Sequence, residues 1–427
     1  MKLETRGRYF YLDGKPFFWL GDTAWLLFSR LSREEASAYL KNRAGKGFNV
    51  IQATLVHHGG FATLDGKKAL TDDDFARPAR EGYWEHVLSI VREAASLNMF
   101  MALLPSWGSF AKNGQLNRDN AAVYVRFLAE TFGGEENVIW LLGGDVRGDV
   151  AKDVFELMGN EFKRLYPERI VGYHPFGRCD SSMWFKDSPW LDFNMFQSGH
   201  RDYTQQFLGA WDDNDVFYGE DNYNYVLNDL KNCPDKPTLD GEPGYELIPH
   251  GLHDPTQPRW LAHDVRRYAW WSVLSGAAGH TYGDNSIMQF YKPGFKGSYG
   301  PLNTWGEALN DPGSGQMRHL KELMLEYGFD SGEEASRYVA ANGERHFHKV
   351  ALLTSKGFIA YSPEGESIRV NVAALPFKAP VCTLLDPVSG AKGYVGRLEK
   401  TADTLIPFPD RRDGTQDWAV MIGEADA

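Results

Sequence analysis

Cysteine is scarce in this sequence, because only Cys179, Cys233 and Cys382 occur among its 427 residues. Their number is odd, their spacing is wide and no C-x-x-C pair exists, so the sequence predicts neither a disulfide framework nor a zinc knuckle. Long apolar runs are also lacking, since none approaches the ~18 residues of a membrane span. Residues 1–11 have no apolar core typical of a signal peptide. We expect a soluble protein, cytoplasmic as written or periplasmic or secreted after removal of a signal.

Clustered positive charge is absent as well. The formal net charge is −12, and no sustained run of Lys or Arg occurs. Nucleic acids and anionic membranes both require clustered cations, so we expect neither as a partner. The sequence indicates no oligomeric state. Hydrophobic residues make up 43% of the chain, which is enough to build a globular core.

Tryptophan, in contrast, is abundant and unevenly placed. Twelve of the 13 Trp residues lie at or before Trp305, and only Trp418 follows. Aromatic side chains are first of all core material. They are also what a carbohydrate site uses, because sugar C–H faces pack on aromatic rings, and both explanations stay open here.

The first three-quarters of the chain alternates short apolar runs with amphipathic stretches. Eight such units extend over about 325 residues, and eight strand–helix units are typical of a closed TIM barrel. An open doubly wound sheet is the competing architecture, but it usually carries a Gly-rich phosphate loop, which is missing. After Asp330, short β-rich runs recur at roughly ten-residue spacing. We predict an α/β fold, with a (β/α)8 barrel over residues 1–332 and a small antiparallel β-sandwich over residues 333–427.

The predicted barrel strands end in polar and aromatic residues. In TIM barrels the active site lies at the carboxyl ends of the strands. The candidate ligand-contacting residues at these ends are Asp22, Trp25, His57, His58, Trp107, Asp145, His174, Gln197, His200, Glu242, Tyr282 and Asp284. Carboxylates, imidazoles and indoles together suit a neutral, polyhydroxylated ligand.

Two of these carboxylates stand out by their context. Asp145 follows an apolar strand and two glycines, and Glu242 lies between Gly241 and Pro243. Glycoside cleavage needs one carboxylic acid to protonate the leaving oxygen and one carboxylate to attack the anomeric carbon or activate water. The fourth and seventh strands of a barrel face each other across its mouth. This pair is therefore the predicted catalytic pair.

Plainer explanations exist for several of the candidates. Asp22 could cap the following helix, and Asp284 could bond to backbone in its loop. His57-His58 and His250-x-x-His253 could suggest a metal, but no H-E-x-x-H or comparable ligand set occurs, so we expect no metal and no cofactor. The lack of G-x-S-x-G weakens an esterase assignment.

Three motifs resemble one known family. They are the opening Tyr11 to Trp25 (YLDGKPFFWLGDTAW), Asn137 to Asp145 (NVIWLLGGD) and Lys236 to Pro243 (KPTLDGEP). The sequence resembles the apiosidase-like glycoside hydrolases, family 140, in which a clan A barrel precedes a domain labelled as collagen-binding. The resemblance covers essentially the whole chain, and the motifs stand in the family's order.

The resemblance implies an acid/base at Asp145 and a nucleophile at Glu242. Most of clan A has Asn-Glu at the fourth strand, where this sequence has Gly144-Asp145, so the assignment depends on the family's motif. A retaining double displacement is implied, with carboxyl groups about 5–5.5 Å apart. The family removes apiose from pectin side chains, so a terminal apiose or other furanoside of a plant or bacterial glycan is the expected substrate. Endo-action, a non-catalytic sugar-binding protein and a metal-dependent hydrolase are the alternatives.

Overall fold

Eight parallel strands form a barrel in the computed structural model, which describes residues 2–205, 217–410 and 417–425. A small antiparallel sheet precedes it: β1 (Leu3–Arg6), β2 (Tyr9–Leu12) and β3 (Lys15–Phe17). The barrel sheet contains β4 (Trp19–Thr23), β5 (Val50–Thr54), β6 (Phe100–Leu104), β7 (Val138–Gly143), β8 (Val171–His174), β9 (Cys179–Asp180), β10 (Asn194–Gln197), β11 (Thr238–Asp240) and β12 (Gly279–Tyr282). All of these pair in parallel except the two-residue β9, which runs antiparallel to β10.

The barrel closes between β8 and β10. These strands form no regular ladder, but Asp192, which precedes β10, donates its backbone N–H to the carbonyl of Val171 at 2.9 Å. The Asp192 carboxylate in turn accepts the backbone N–H of Val171 at 2.7 Å. The prediction of a (β/α)8 barrel is confirmed.

Helices surround the barrel. They are α1 (Leu27–Arg30), α2 (Arg33–Gly45), α3 (Tyr83–Ser96), α4 (Ser109–Lys112), α5 (Arg118–Phe132), α6 (Lys152–Leu165), α7 (Ser182–Phe185), α8 (Tyr223–Asn232), α9 (Ala262–Leu274), α10 (Asn285–Met288), α11 (Trp305–Ala308) and α12 (Pro312–Tyr327). No helix in the described part of the chain is long and apolar enough to cross a membrane.

The local sequence explains how these elements begin and pack. Ser32 and Glu35 form a capping box that starts α2, so two otherwise unpaired backbone N–H groups are satisfied. All six residues of β7 are buried, because one face points into the barrel and the other contacts helices. Trp140 of β7 stacks on Phe162 of α6 with ring centroids 4.4 Å apart. The abundant Trp residues thus serve partly as core.

The last quarter of the chain forms two antiparallel sheets, as predicted. Their strands are β13 (Glu333–Glu334), β14 (Val339–Ala340), β15 (Val350–Leu353), β16 (Phe358–Ser362), β17 (Ile368–Val370), β18 (Pro380–Leu385), β19 (Lys392–Arg397), β20 (Thr404–Ile406) and β21 (Trp418–Glu424). One sheet has the order β13-β15-β16-β21-β18-β19 and the other β14-β17-β20.

Helix α9 connects the barrel to these sheets. Arg266 makes a bidentate ion pair with Asp417, with N–O distances of 2.7 and 2.9 Å. One turn further along, Trp270 stacks on Tyr361 of β16 at 5.1 Å between centroids. Polar and aromatic contacts therefore bury the α9 face that a free barrel would expose to water.

Candidate active site

A strained turn at the end of β7 presents Asp145. Gly143 and Gly144 have φ of 85° and 104°, and Asp145 itself lies in the left-handed region at 55°. A Cβ on Gly143 would lie 2.4 Å from the carbonyl oxygen of His174, so only glycine fits there. The N–H of Gly144 donates to that same oxygen at 3.0 Å. Such strain is common where a fold fixes a functional side chain.

Asp145 is held in a largely buried environment that favours its protonated form. Burial raises the pKa of its carboxyl to about 7, and the negative charge of Glu242 adds to the rise. His174 and hydrogen bonds from Gln197 and from the backbone of Gly177 oppose the shift without cancelling it. Asp145 is therefore substantially protonated near neutral pH.

Hydrogen bonds from β5, from the end of β10 and from the start of α8 fix the turn that carries Glu242. Gly199, which follows β10, donates its N–H to the Glu242 carbonyl at 2.9 Å. The amide of Gln52 on β5 donates to the carbonyl of Gly241 at 2.9 Å. Asp240, the last residue of β11, accepts hydrogen bonds from the Ser198 hydroxyl at 2.6 Å and the Asn222 amide at 3.1 Å. The turn carrying Glu242 is thereby rigid.

Two imidazoles flank the carboxylate of Glu242. The Nε2 of His200 lies 3.0 Å from Oε1, and the Nε2 of His174 lies 3.2 Å from Oε2. Burial raises the pKa of this carboxyl, but hydrogen bonding and charge interactions with the two imidazoles outweigh burial and lower it to about 2. Between about pH 2 and pH 7, Glu242 is thus ionised while Asp145 is largely protonated.

An aromatic wall borders the two carboxylates. Trp25 contacts His174 edge-on at 5.2 Å and Trp107 at 5.3 Å between centroids. His57 stacks on Trp107 at 4.7 Å, and burial lowers the pKa of His57 to about 4. A neutral His57 can both donate and accept hydrogen bonds. The wall therefore offers flat faces and uncharged polar groups.

The structure brings most of the predicted residues to this site. Gln197 is 4% exposed and bonds to Asp145, while its Oε1 has no partner among the described residues. His58 lies on the exposed rim, with its Nδ1 2.9 Å from the carbonyl of Gly59. Seven others lie at the carboxylates or in the wall: Trp25, His57, Trp107, Asp145, His174, His200 and Glu242.

Three predicted ligand contacts have another assignment in the structure. The Asp22 carboxylate is buried and accepts hydrogen bonds from Arg43 and Tyr39, both at 2.6 Å. The Tyr282 hydroxyl donates to Glu246 at 2.5 Å. Asp284 caps α10 by accepting the N–H groups of two residues that follow it, as the plainer explanation of its role anticipated. Asp22 and Tyr282 bind partners on other elements, which strand-end position does not reveal, whereas Asp284 bonds to residues that directly follow it.

Sequence inspection missed Tyr245, which is 1% exposed. Its ring contacts His200 edge-on at 4.6 Å. Burial and the charge of Glu242 raise the pKa of Tyr245 well above its usual value, so its hydroxyl stays protonated. Its position three residues after Glu242 was the available signal. Among the described residues, no three His, Cys, Asp or Glu side chains are arranged to hold a metal ion.

Comparisons with known proteins agree with this architecture. A family model described as "Apiosidase-like, catalytic domain" matches residues 4–330. A solved structure titled "Glycoside hydrolase" is 38% identical, with a TM-score of 0.94 over 99% of this chain and 97% of that one. A glycoside hydrolase family 5 structure from Bacteroides vulgatus is 35% identical, with a TM-score of 0.94 over 99% and 94% of the two chains. No curated protein matches the sequence.

Barrel and relatives together define a glycoside hydrolase of clan A fold. Within that class, the chain belongs to the apiosidase-like family.

Proposed function

We propose that the protein is a retaining, exo-acting glycosidase in which Asp145 is the acid/base and Glu242 the nucleophile. The opposite pKa shifts of the two carboxyls carry this proposal, about 7 for Asp145 and about 2 for Glu242. Between these values one group is an acid and the other an anion, which is the resting state that double displacement requires. A carboxylate with a pKa near 2 is a poor general base for water, so Glu242 suits attack on carbon better than inversion.

The hydrogen bonds around His200 support a fixed role for Glu242. The backbone N–H of Tyr245 points at the Nδ1 of His200 at 3.4 Å, so Nδ1 is the acceptor. The proton of a neutral ring then resides on Nε2, which donates to Glu242. This donor holds Oε1 and leaves the carboxylate oriented for attack.

The reaction would proceed in two balanced steps. Glu242 attacks the anomeric carbon as the glycosidic bond breaks, and Asp145 gives its proton to the departing oxygen. A covalent glycosyl-enzyme results. Asp145, now ionised, takes a proton from water, whose oxygen attacks the same carbon and releases Glu242. The configuration of the sugar is retained and both carboxyls regain their resting state.

We further propose a neutral terminal sugar as the substrate, with apiose or another furanoside as the first candidate. The wall of Trp25, Trp107 and uncharged His57 supports a neutral ring. Two long loops, residues 59–80 and 283–311, support exo-action. Each has its own internal contacts and can serve as a pocket wall. In the loop before α3, Ala62 pairs with Lys68 and Leu70 with Pro78.

The test is a hydrolysis screen with nitrophenyl furanosides and pyranosides and with apiose-containing pectin oligosaccharides. Glu242→Gln is compared with the unaltered protein and with Glu130→Gln, a control at an exposed position on α5. We expect turnover of at least one glycoside, loss of about 10³-fold or more in Glu242→Gln, and no change in Glu130→Gln. No turnover of any glycoside, with sugar binding intact, would instead favour a binding protein.

Product analysis separates the finer alternatives. Proton NMR of the first product anomer should show retention, and an initially inverted anomer would contradict double displacement. With a polysaccharide substrate, exo-action should release a small sugar from the start. Early appearance of mid-length oligosaccharides would establish endo-action instead.

A further inference from the structure

The loop from Gly283 to Asp311, called here the β12 loop, is fixed at several points. Gln289 is 5% exposed and makes two hydrogen bonds with the backbone of Ser298. It accepts the Ser298 N–H at 2.7 Å and donates to the Ser298 carbonyl at 2.9 Å. Arg30 lies over the ring of Phe295 at 4.4 Å. Lys292 pairs with Glu35 of α2 at 2.8 Å. The loop is thus a preformed part of the fold.

Tyr299 directly follows Ser298. Its φ is 56°, an unfavourable conformation for a bulky side chain. The buried amide of Asn285 holds it there by donating to the Tyr299 carbonyl at 3.0 Å. Two buried amide side chains thus maintain the strained backbone here, Asn285 at Tyr299 itself and Gln289 at the residue before it. Such strain concentrates at sites that hold a ligand.

Tyr299 lies within the electrostatic field of both carboxylates. Burial raises the pKa of its hydroxyl, and the charges of Asp145 and then Glu242 raise it further. Its ring is half-buried and lies 5.7 Å from the ring of His253, a residue of the loop that follows Glu242. No described residue hydrogen-bonds to the Tyr299 hydroxyl. The phenol therefore combines a protonated donor and an aromatic face on a loop at the carboxyl end of β12, packed against the loop that follows Glu242.

We propose that Tyr299 is a substrate-contacting residue, which packs against the sugar held between Asp145 and Glu242 and donates a hydrogen bond to it. This inference rests on the proposed function. The phenol would add a second aromatic surface to the Trp25 and Trp107 wall, contributed by the β12 loop, whose strand pairs with β4. The hydrogen bonds from Gln289 and Asn285 would position this surface before substrate arrives, so the loop loses little conformational entropy on binding.

The test compares Tyr299→Phe and Tyr299→Ala with the unaltered protein on the best glycoside from the screen. Tyr299→Phe keeps the ring and removes the donor, so we expect kcat/KM to fall about 10-fold. Tyr299→Ala also removes the aromatic surface, and we expect a fall of about 100-fold or more. Tyr327→Phe is the control, because Tyr327 is also half-buried but lies on α12 next to Gly357.

A binding measurement distinguishes substrate contact from a structural effect. Each Tyr299 substitution is repeated in Glu242→Gln, and binding of the product sugar is measured by calorimetry together with Tm. Weaker binding at unchanged Tm supports contact. Unchanged kcat/KM and unchanged binding in Tyr299→Ala would overturn the inference, although hydrolysis by the unaltered protein would leave the proposed function intact. If the unaltered protein hydrolyses nothing, the proposed function fails first.

Discussion

The Nε2 of His200 lies 3.0 Å from the Oε1 of Glu242, and the ring's other nitrogen faces the backbone N–H of Tyr245. The imidazole therefore acts as a hydrogen-bond donor to a buried carboxylate. Donation to the ionised form stabilises that form and lowers the pKa of the carboxyl. As the proposed nucleophile, Glu242 must be ionised, so we expect activity to be retained above its pKa and lost as pH falls through it.

Replacing His200 with Phe should move the acidic limb of the pH profile upward. The pKa of Glu242, now about 2, rises when one of the two imidazoles beside it is removed. We expect kcat/KM of the unaltered protein to stay level down to pH 4, and that of His200→Phe to decline at least one pH unit higher than before. His319→Phe, a substitution on α12, is the control. Superimposable acidic limbs would contradict a role for His200 in setting this pKa.

The basic limb should report Asp145. As the proposed acid, this carboxyl must be protonated, and its pKa is raised to about 7, so we expect activity to be lost as pH rises through about 7. Asp145→Ala should remove the limb and slow hydrolysis of alkyl glycosides by about 10²–10⁴-fold. Dinitrophenyl glycosides need no protonation of the leaving group, so their first step should be nearly unaffected. Equal losses on both substrate types would argue against an acid role.

The barrel could be predicted from sequence because its determinants are local. Strands such as Val138–Gly143 are apolar on both faces, and the polar ends of parallel strands mark the site edge. The same rule about strand ends places Glu242 and Asp145 at this edge. Their pKa values could not be predicted, since these depend on His174 and His200 meeting Glu242 in three dimensions.

The position of a residue at a strand end also does not show which partners its side chain binds. Asp22 is the penultimate residue of β4, but Tyr39 and Arg43 lie one turn apart on one face of α2 and bind its carboxylate. Tyr299 lies 17 residues beyond the end of β12, so no strand-end rule identifies it. Long-range side-chain partners and the positions of residues in long loops could therefore not be predicted from the sequence.

Substituting Gly143 should damage the site through backbone geometry alone. A Cβ there would lie 2.4 Å from the His174 carbonyl oxygen, and φ is 85°, so Gly143→Ala must displace the turn that carries Asp145. A displacement of about 1 Å costs on the order of 10²-fold in rate. We expect that loss in kcat/KM. Gly134→Ala, with open space around the added Cβ, is the matched control and should keep full activity. Equal activity of both variants would show that the turn tolerates a side chain.

The buried ion pair between Asp22 and Arg43 yields the last prediction. Both side chains are fully buried, and the distance from Nε to Oδ2 is 2.6 Å. Arg43→Met leaves the Asp22 carboxylate without its cation, and breaking one side of a buried pair costs about 3–5 kcal/mol. We expect that decrease in the free energy of unfolding, measured by urea denaturation. Arg33→Met, an exposed substitution on the same helix, should change stability by under ~0.5 kcal/mol.

The double variant Asp22→Leu with Arg43→Met then identifies the cause. Replacing a whole buried pair by apolar groups is often nearly neutral, because no unpaired charge remains. We therefore expect the double variant to be more stable than Arg43→Met alone. If it is equally unstable, the loss in Arg43→Met comes from the other contacts of the Arg43 side chain, whose guanidinium lies over the rings of Tyr39 and Phe48. The unpaired carboxylate of Asp22 would then contribute little to that loss.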